Sequence, residues 1–303
     1  MGDVSLAPEY DVAKPTWTTR ARPCWQLIKP GIVFGNLIPV VSGFLLAGAQ
    51  WQDAYRLVQV LLATFCLIAS ACLLNNYFDR DLDGRMSRTK HRLLASQTIP
   101  AWPVFLAAGV FLLLSIFLLA AFNTTTLLVG GFGYLMYVWV YTVLLKRYSS
   151  YQTILGSFAG ACPPVIGYCS LSGQIDLTAG LIFLLFAFWQ IPHSYAIAIF
   201  RRNDYRMADV PVLPIVRGVR YTQQVMMLYW LLYIFAGVLL FATGVTGWLF
   251  LGLFGYFGLR WGAIGCRGLS TKDIDTWARQ FFVYSIKVMV AVSFAIVIDQ
   301  LMR

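Results

Sequence analysis

The chain has 303 residues, 59% of them hydrophobic and only 12% charged, with a mean hydropathy of +0.70. Soluble domains sit near half apolar and a quarter charged, so this deficit of charge excludes an ordinary water-soluble fold and points to a lipid bilayer. The net charge of +10 does not signal nucleic acid, because the basic residues are dispersed between apolar runs and form no continuous soluble patch.

In chain order, the stretch before Gly31 carries Asp3, Glu9 and Asp11 without an apolar core. It reads as a cytoplasmic tail, residues 1–24, and as neither a signal peptide nor an Arg-rich transit peptide. The remainder, 25–303, reads as one membrane domain. A helix needs about 20 apolar residues to cross the hydrocarbon core, since every backbone polar group must be satisfied inside the segment. Such runs fall at roughly 31–50, 55–75, 101–121, 124–145, 151–172, 178–199, 222–243, 246–264 and 280–301. The expected fold is therefore all-α, with about nine transmembrane helices around a central cavity. The six cysteines lie largely within these runs and form no CxxC pair, so they read as small packing residues.

Orientation follows from Lys and Arg near the helix ends. With the N-terminus in the cytoplasm and the C-terminus outside, 20 of the 23 basic residues fall on the cytoplasmic face. Lys287 lies within the last span, from which it can snorkel to that interface. The outer loops are short, whereas the two longest, Asp79 to Pro100 and Arg201 to Tyr221, are cytoplasmic and carry acids. Chemistry is expected to open to that side, in a bacterial inner membrane.

The second span ends in Asn75, Asp79 and Asp83, spaced i, i+4, i+8 and so on one helical face, with Asp81 pointing elsewhere. Two carboxylates and a carboxamide one turn apart offer oxygen ligands to a hard cation, and Mg²⁺ uses one or two carboxylates together with substrate phosphates. The bland alternative is a solvated acidic helix end. A calcium loop is not expected, because its twelfth position would be Lys90. Arg85, Arg88, Lys90 and Arg92 follow at once, and acid followed by base suits a metal-bound diphosphate. Lys146 and Arg147, closing the fourth span, either add to this clamp or serve as positive-inside anchors. After the sixth span, Asp204 and Asp209 are five apart, a poorer match to one face, so that one is a ligand and the other not. His193 lies inside the sixth span just after Pro192, where it either serves a site or bridges helices.

Taken together, these residues resemble the intramembrane prenyltransferase superfamily typified by 4-hydroxybenzoate polyprenyltransferase, which carries two Asp-rich motifs on cytoplasmic loops after its second and sixth helices. Within it the likeness is to the protohaem IX farnesyltransferases, or haem O synthases. It rests on Lys29-Pro-Gly31, Asn75 to Asp83, Arg88-Thr-Lys-His-Arg92, Tyr141-Thr142 with Lys146-Arg147, Trp189-Gln-Ile-Pro-His193, and Asp204-Tyr205 with Ala208 and Pro211-Val-Leu-Pro214. It spans about residues 25 to 300. Asp209 and His91 depart from the pattern.

The resemblance implies transfer of a farnesyl group from farnesyl diphosphate to a vinyl group of haem B, giving haem O for terminal oxidase assembly. It implies Mg²⁺ at Asn75, Asp79, Asp83 and Asp204, and substrate contacts from Arg88, Arg92, Lys146, Arg147, His193 and Tyr205. It also implies dealings with haem-oxidase assembly proteins, and none with nucleic acid. His193 is the haem-contacting residue in this reading. The 16 tyrosines, ten tryptophans and 22 phenylalanines offer ring faces to an allylic cation. Competing readings are an aromatic or quinone-precursor acceptor, a multi-span transporter with Pro-broken helices, and a haem chaperone.

Overall fold

A computed structural model of the chain describes residues 24–302. Twelve helices follow in order, named here α1 Pro30–Leu46, α2 Ala54–Phe78, α3 Arg80–Arg85, α4 Trp102–Ala120, α5 Thr124–Leu135, α6 Gln152–Ser172, α7 Leu177–Phe200, α8 Arg202–Met207, α9 Leu213–Val216, α10 Val219–Ala242, α11 Trp248–Gly268 and α12 Ile274–Leu301. Among the described residues there is no strand. Residues 1–23 of the expected tail lie outside the described residues.

Eight of these segments are long and apolar enough to cross a membrane. The first expected span is shorter than the sequence suggested: α1 is a 17-residue helix that stops at Leu46 instead of running to residue 50. Gly48 is the cause, since it turns the chain at φ +83 and ends the helical hydrogen bonding. At about 1.5 Å per residue α1 still covers about 26 Å, near the lower limit for a span.

The spans pack in a ring. α2 lies along α4, then α5, α6, α7, α10, α11 and α12 follow by neighbour contact, and α12 closes on α1. α1 also crosses tightly onto α6, where small residues let the backbones meet. A Cβ on Gly43 would stand 1.9 Å from the carbonyl oxygen of Pro164, and one on Gly167 would stand 2.2 Å from that of Val40. Gly167→Ala is therefore expected to cost about 1–3 kcal/mol or more, because the obstructing atom is backbone. Gly180→Ala in α7, where a Cβ meets nothing within 4 Å, is expected to be harmless. Thermal melting in detergent compares the two.

The fourth span changes its winding. After Leu135 the helix continues as a π-helix, Met136–Leu145, and Lys146 donates its backbone N–H back to Tyr141. Such wide turns shift the register of everything that follows, and they often mark functional stretches. Here the turn sets the direction of Lys146 and Arg147.

Candidate active site

The α2 to α3 junction carries the acids. The helix breaks slightly at Asp79, yet Asp79 N–H still bonds Asn75 O at 2.9 Å and Asp83 N–H bonds Asp79 O at 2.7 Å. The one-face expectation holds: Asn75, Asp79 and Asp83 are all buried, whereas Asp81 is exposed. Burying carboxylates is costly unless they are paired, and each has a cation. Asp79 Oδ2 accepts from Lys146 Nζ, and Asp83 Oδ2 accepts from Arg92 Nη1 at 2.8 Å. Burial pulls the Lys146 ammonium down, but Asp79 beside it outweighs that and moves it above its ordinary value.

Asp81 is turned outward into a two-pronged pair with Arg147, both contacts at 2.6 Å. That hydrogen bonding holds the Asp81 carboxyl down at about 2. A carboxyl lowered in the folded state stabilises above its unfolded value, and the contribution disappears as pH falls through about 2; at this exposed position it is small. Arg147 also donates to the Phe78 carbonyl at 2.7 Å, so it ties the fourth span to the end of α2.

Three residues of the site were not singled out for it by sequence reasoning. Lys29, in left-handed backbone at φ 54, precedes α1 and donates Nζ to Asn75 Oδ1. Burial lowers its ammonium to about 8. Thr142 accepts from Asn75 Nδ2 at 2.9 Å and donates to the Tyr137 carbonyl at 2.8 Å. The Asn75 carboxamide thus holds protein partners on both ends. Ser87 is the third: its hydroxyl donates to Asp204 Oδ1 at 2.6 Å.

That Ser87 bond joins the two acidic loops. They also share a small core in which Leu82 and Met86 pack against Ala198, Ala208, Val210 and Val212, with Tyr205 at its edge. Asp204 is buried, with Arg201 at 4.0 Å, whereas Asp209 is exposed, sits at φ 55 and faces Arg85 at 3.4 Å. Of the two acids, Asp204 is the one turned into the site. Arg88 and His91 stand exposed on the loop.

Asp79 Oδ1 is buried with no hydrogen-bond partner. A carboxylate oxygen in that position is incomplete without a cation or donor, and oxygen donors of this kind suit Mg²⁺. Asp79 and Asp83, with Asn75 one turn before them, fit such an ion, while Asp204 is tied to the same loop through Ser87. Among the described residues no three His, Cys, Asp or Glu side chains close into a cage, so an ion there takes part of its coordination from a ligand.

Deeper in the bundle, His193 Nδ1 lies 2.6 Å from Ser285 Oγ on α12, and its ring is stacked between Trp189 at 4.7 Å and Phe282 at 4.8 Å between centroids. Trp189 Nε1 donates to the Ser285 carbonyl at 2.8 Å. Nearer the acids, Tyr137 and Tyr141 stack at 5.7 Å, and Lys146 stands over the Tyr141 ring at 5.9 Å.

The chain is similar in sequence and fold to known proteins. Residues 36–286 match the UbiA prenyltransferase family. Proteins named protoheme IX farnesyltransferase from Wigglesworthia glossinidia brevipalpis and Yersinia pseudotuberculosis are each 40% identical over 90% of this chain, covering 96% and 93% of their own lengths. Among solved structures, a digeranylgeranylglyceryl phosphate synthase superposes with TM-score 0.77 at 16% identity, over 93% of this chain and 99% of that one. A UbiA homologue from Archaeoglobus fulgidus bound to DMAPP and Mg²⁺ gives 0.66 at 18%, over 90% and 98%. The distant structures establish the fold and the relatives establish the branch: the chain belongs to the UbiA prenyltransferase family, among the protoheme IX farnesyltransferases.

Proposed function

We propose that this chain transfers the farnesyl group of farnesyl diphosphate to a vinyl group of haem B, producing haem O. The observation that carries the reading is the buried pairing of Asp79 with Lys146 and of Asp83 with Arg92, which puts carboxylates and cations at one point beneath an apolar, aromatic interior. Mg²⁺, when bound, neutralises charge on the departing diphosphate. Lys146 and Arg92 hold phosphate oxygens, with Lys29, Arg88 and Arg147 supplying further positive charge around them. Asp79 and Asp83 are the principal metal-facing residues, Asn75 lies one turn before them, and Asp204 and Tyr205 serve from the second loop, which Ser87 ties to the first.

In the reaction the allylic carbon–oxygen bond breaks and its electron pair leaves with diphosphate. The vinyl π-electrons form the new carbon–carbon bond. Water adds at the resulting cationic carbon and loses a proton, leaving the hydroxyethylfarnesyl chain. Tyr137 and Tyr141 offer ring faces to the allylic cation, and the apolar walls keep water away until the bond has formed. His193, with Nδ1 committed to Ser285, has Nε2 left for haem iron. Acceptor choice tests the reading: purified protein given farnesyl diphosphate and Mg²⁺ is expected to prenylate haem B and leave 4-hydroxybenzoate untouched. The reverse preference refutes it.

The site is proposed to face the cytoplasm of a bacterial inner membrane, supported by the basic residues gathered at that end of the spans. Asn123, which donates to the Cys169 carbonyl at 2.9 Å, and Gln174 close the opposite end. Cysteines introduced at Ser87 and Asn203 are expected to label from the cytoplasm, and those at Asn123 and Gln174 from outside. Labelling of Asn203 from outside contradicts the orientation.

A further inference from the structure

A cavity of about 750 Å³ opens between α11 and α12, lined by none of Asp79, Asp83 and Asp204. Arg260, Arg267, Arg279 and Lys287 line it, all exposed. Its one carboxylate, Asp275, is engaged by Arg202. Among the described residues none of the four cations is paired with an acid. Arg260 bonds the Tyr256 hydroxyl at 2.8 Å and lies over the Tyr284 ring at 5.9 Å, and Arg279 lies over the Phe200 ring at 5.6 Å.

Depth makes this more than a row of helix-end anchors. Arg267 and Arg279 lie close to the facing ends of α11 and α12, at the level of the headgroups. Arg260 lies eight residues, about 12 Å, before the end of α11, and Lys287 thirteen residues, about 20 Å, into α12. Both are below that level, where a cation without an acid partner calls for polar oxygens within reach of its side chain. The walls between the two tiers are largely apolar, with Ala263, Ile264 and Val283 beside Gln280 and the Tyr284 ring. The ligand must therefore be an anion with apolar chains that approaches from the bilayer.

We propose that this groove is a binding site for an anionic glycerophospholipid. Its phosphate lies between Arg267 and Arg279, its ester carbonyls come within reach of Arg260 and Lys287, and its chains run along Ile264 and Val283. Basic pockets between helices on the cytoplasmic side bind such headgroups. Because Arg202 leads into the second acidic loop and holds Asp275 at the groove, an occupied groove also steadies the α7 to α8 junction beside Asp204.

Native mass spectrometry of the full-length protein, with cardiolipin, phosphatidylglycerol or phosphatidylcholine added, tests the proposal. Retention of the anionic lipids is expected to exceed that of phosphatidylcholine at least tenfold. It is expected to fall to the phosphatidylcholine level in the double variant Arg267→Gln with Arg279→Gln, while Lys272→Gln, an exposed cation outside the groove, changes nothing. Melting temperature without lipid shows whether the double variant is folded. If it is not, Lys287→Gln alone carries the comparison, with a several-fold loss expected. Equal retention of all three lipids, or undiminished retention in the folded variants, overturns the proposal. So does displacement of lipid by haem B but not by its dimethyl ester, which assigns the groove to the acceptor's carboxylates. None of these readouts depends on turnover, so the lipid site and the transferase reading fail separately.

Discussion

Asp79→Asn is expected to lower turnover by roughly 100-fold or more, because it removes the charge that would hold the metal against the departing diphosphate, and such electrostatic stabilisation is usually the largest single contribution. The asparagine keeps the volume and accepts from Lys146, so the protein should stay inserted and folded. Asp79→Ala is a poorer test: it strands a buried ammonium, and breaking such a pair costs about 3–5 kcal/mol by itself. Removing both partners, Asp79→Ala with Lys146→Met, should recover much of that stability and none of the activity. Asp83→Asn should match Asp79→Asn, since both are buried on the same face. Asp81→Ala should cost at most about 1 kcal/mol and change turnover only a few-fold, because its pair with Arg147 is at the surface. Steady-state kinetics beside melting curves separate these cases. Equal losses at Asp79, Asp81 and Asp83 would remove the argument from a single helical face.

His193→Ala is expected to weaken haem binding at least about tenfold and to shift the Soret band, with farnesyl diphosphate binding nearly unchanged; removal of a supporting residue at a metal site commonly costs about 10–100-fold. Stability alone does not discriminate, since the variant also deprives Ser285 of a buried partner, at about 1–3 kcal/mol. Ser285→Ala supplies the comparison. It removes the same hydrogen bond and leaves the imidazole in place between Trp189 and Phe282, so it should lose similar stability and keep the haem spectrum in large part. An unchanged spectrum and affinity in folded His193→Ala discards the ligand role. The diphosphate chemistry at Asp79 and Asp83 would stand.

Much of this was legible in the sequence, for physical reasons. Apolar runs in a membrane protein must be helices, so eight spans and the presence of α1, though not its early end, followed from hydropathy and length. Asn75, Asp79 and Asp83 shared a face because helical periodicity fixes it locally. Contacts between segments were the illegible part. Nothing local says that Lys29 reaches Asn75 across 46 positions, or that Ser87 reaches Asp204 across 117. Lys29-Pro-Gly31 stood among the signatures, but its left-handed backbone became visible only in three dimensions. The wide turn Met136–Leu145 likewise left no mark in an apolar run, though it directs Lys146 at Asp79. The early end of α1 had a signal, the turn-forming Gly48, that hydropathy alone passes over.

The central claim is that these paired carboxylates and cations move a farnesyl group onto haem. Purified protein incubated with Mg²⁺, farnesyl diphosphate and haem B, and analysed by mass spectrometry of the extracted haem, tests it most directly. The account predicts a haem heavier by one farnesyl group and one hydroxyl, absent when the metal is chelated and absent in Asp79→Asn. Recovery of unmodified haem B from folded, metal-supplied protein would contradict it.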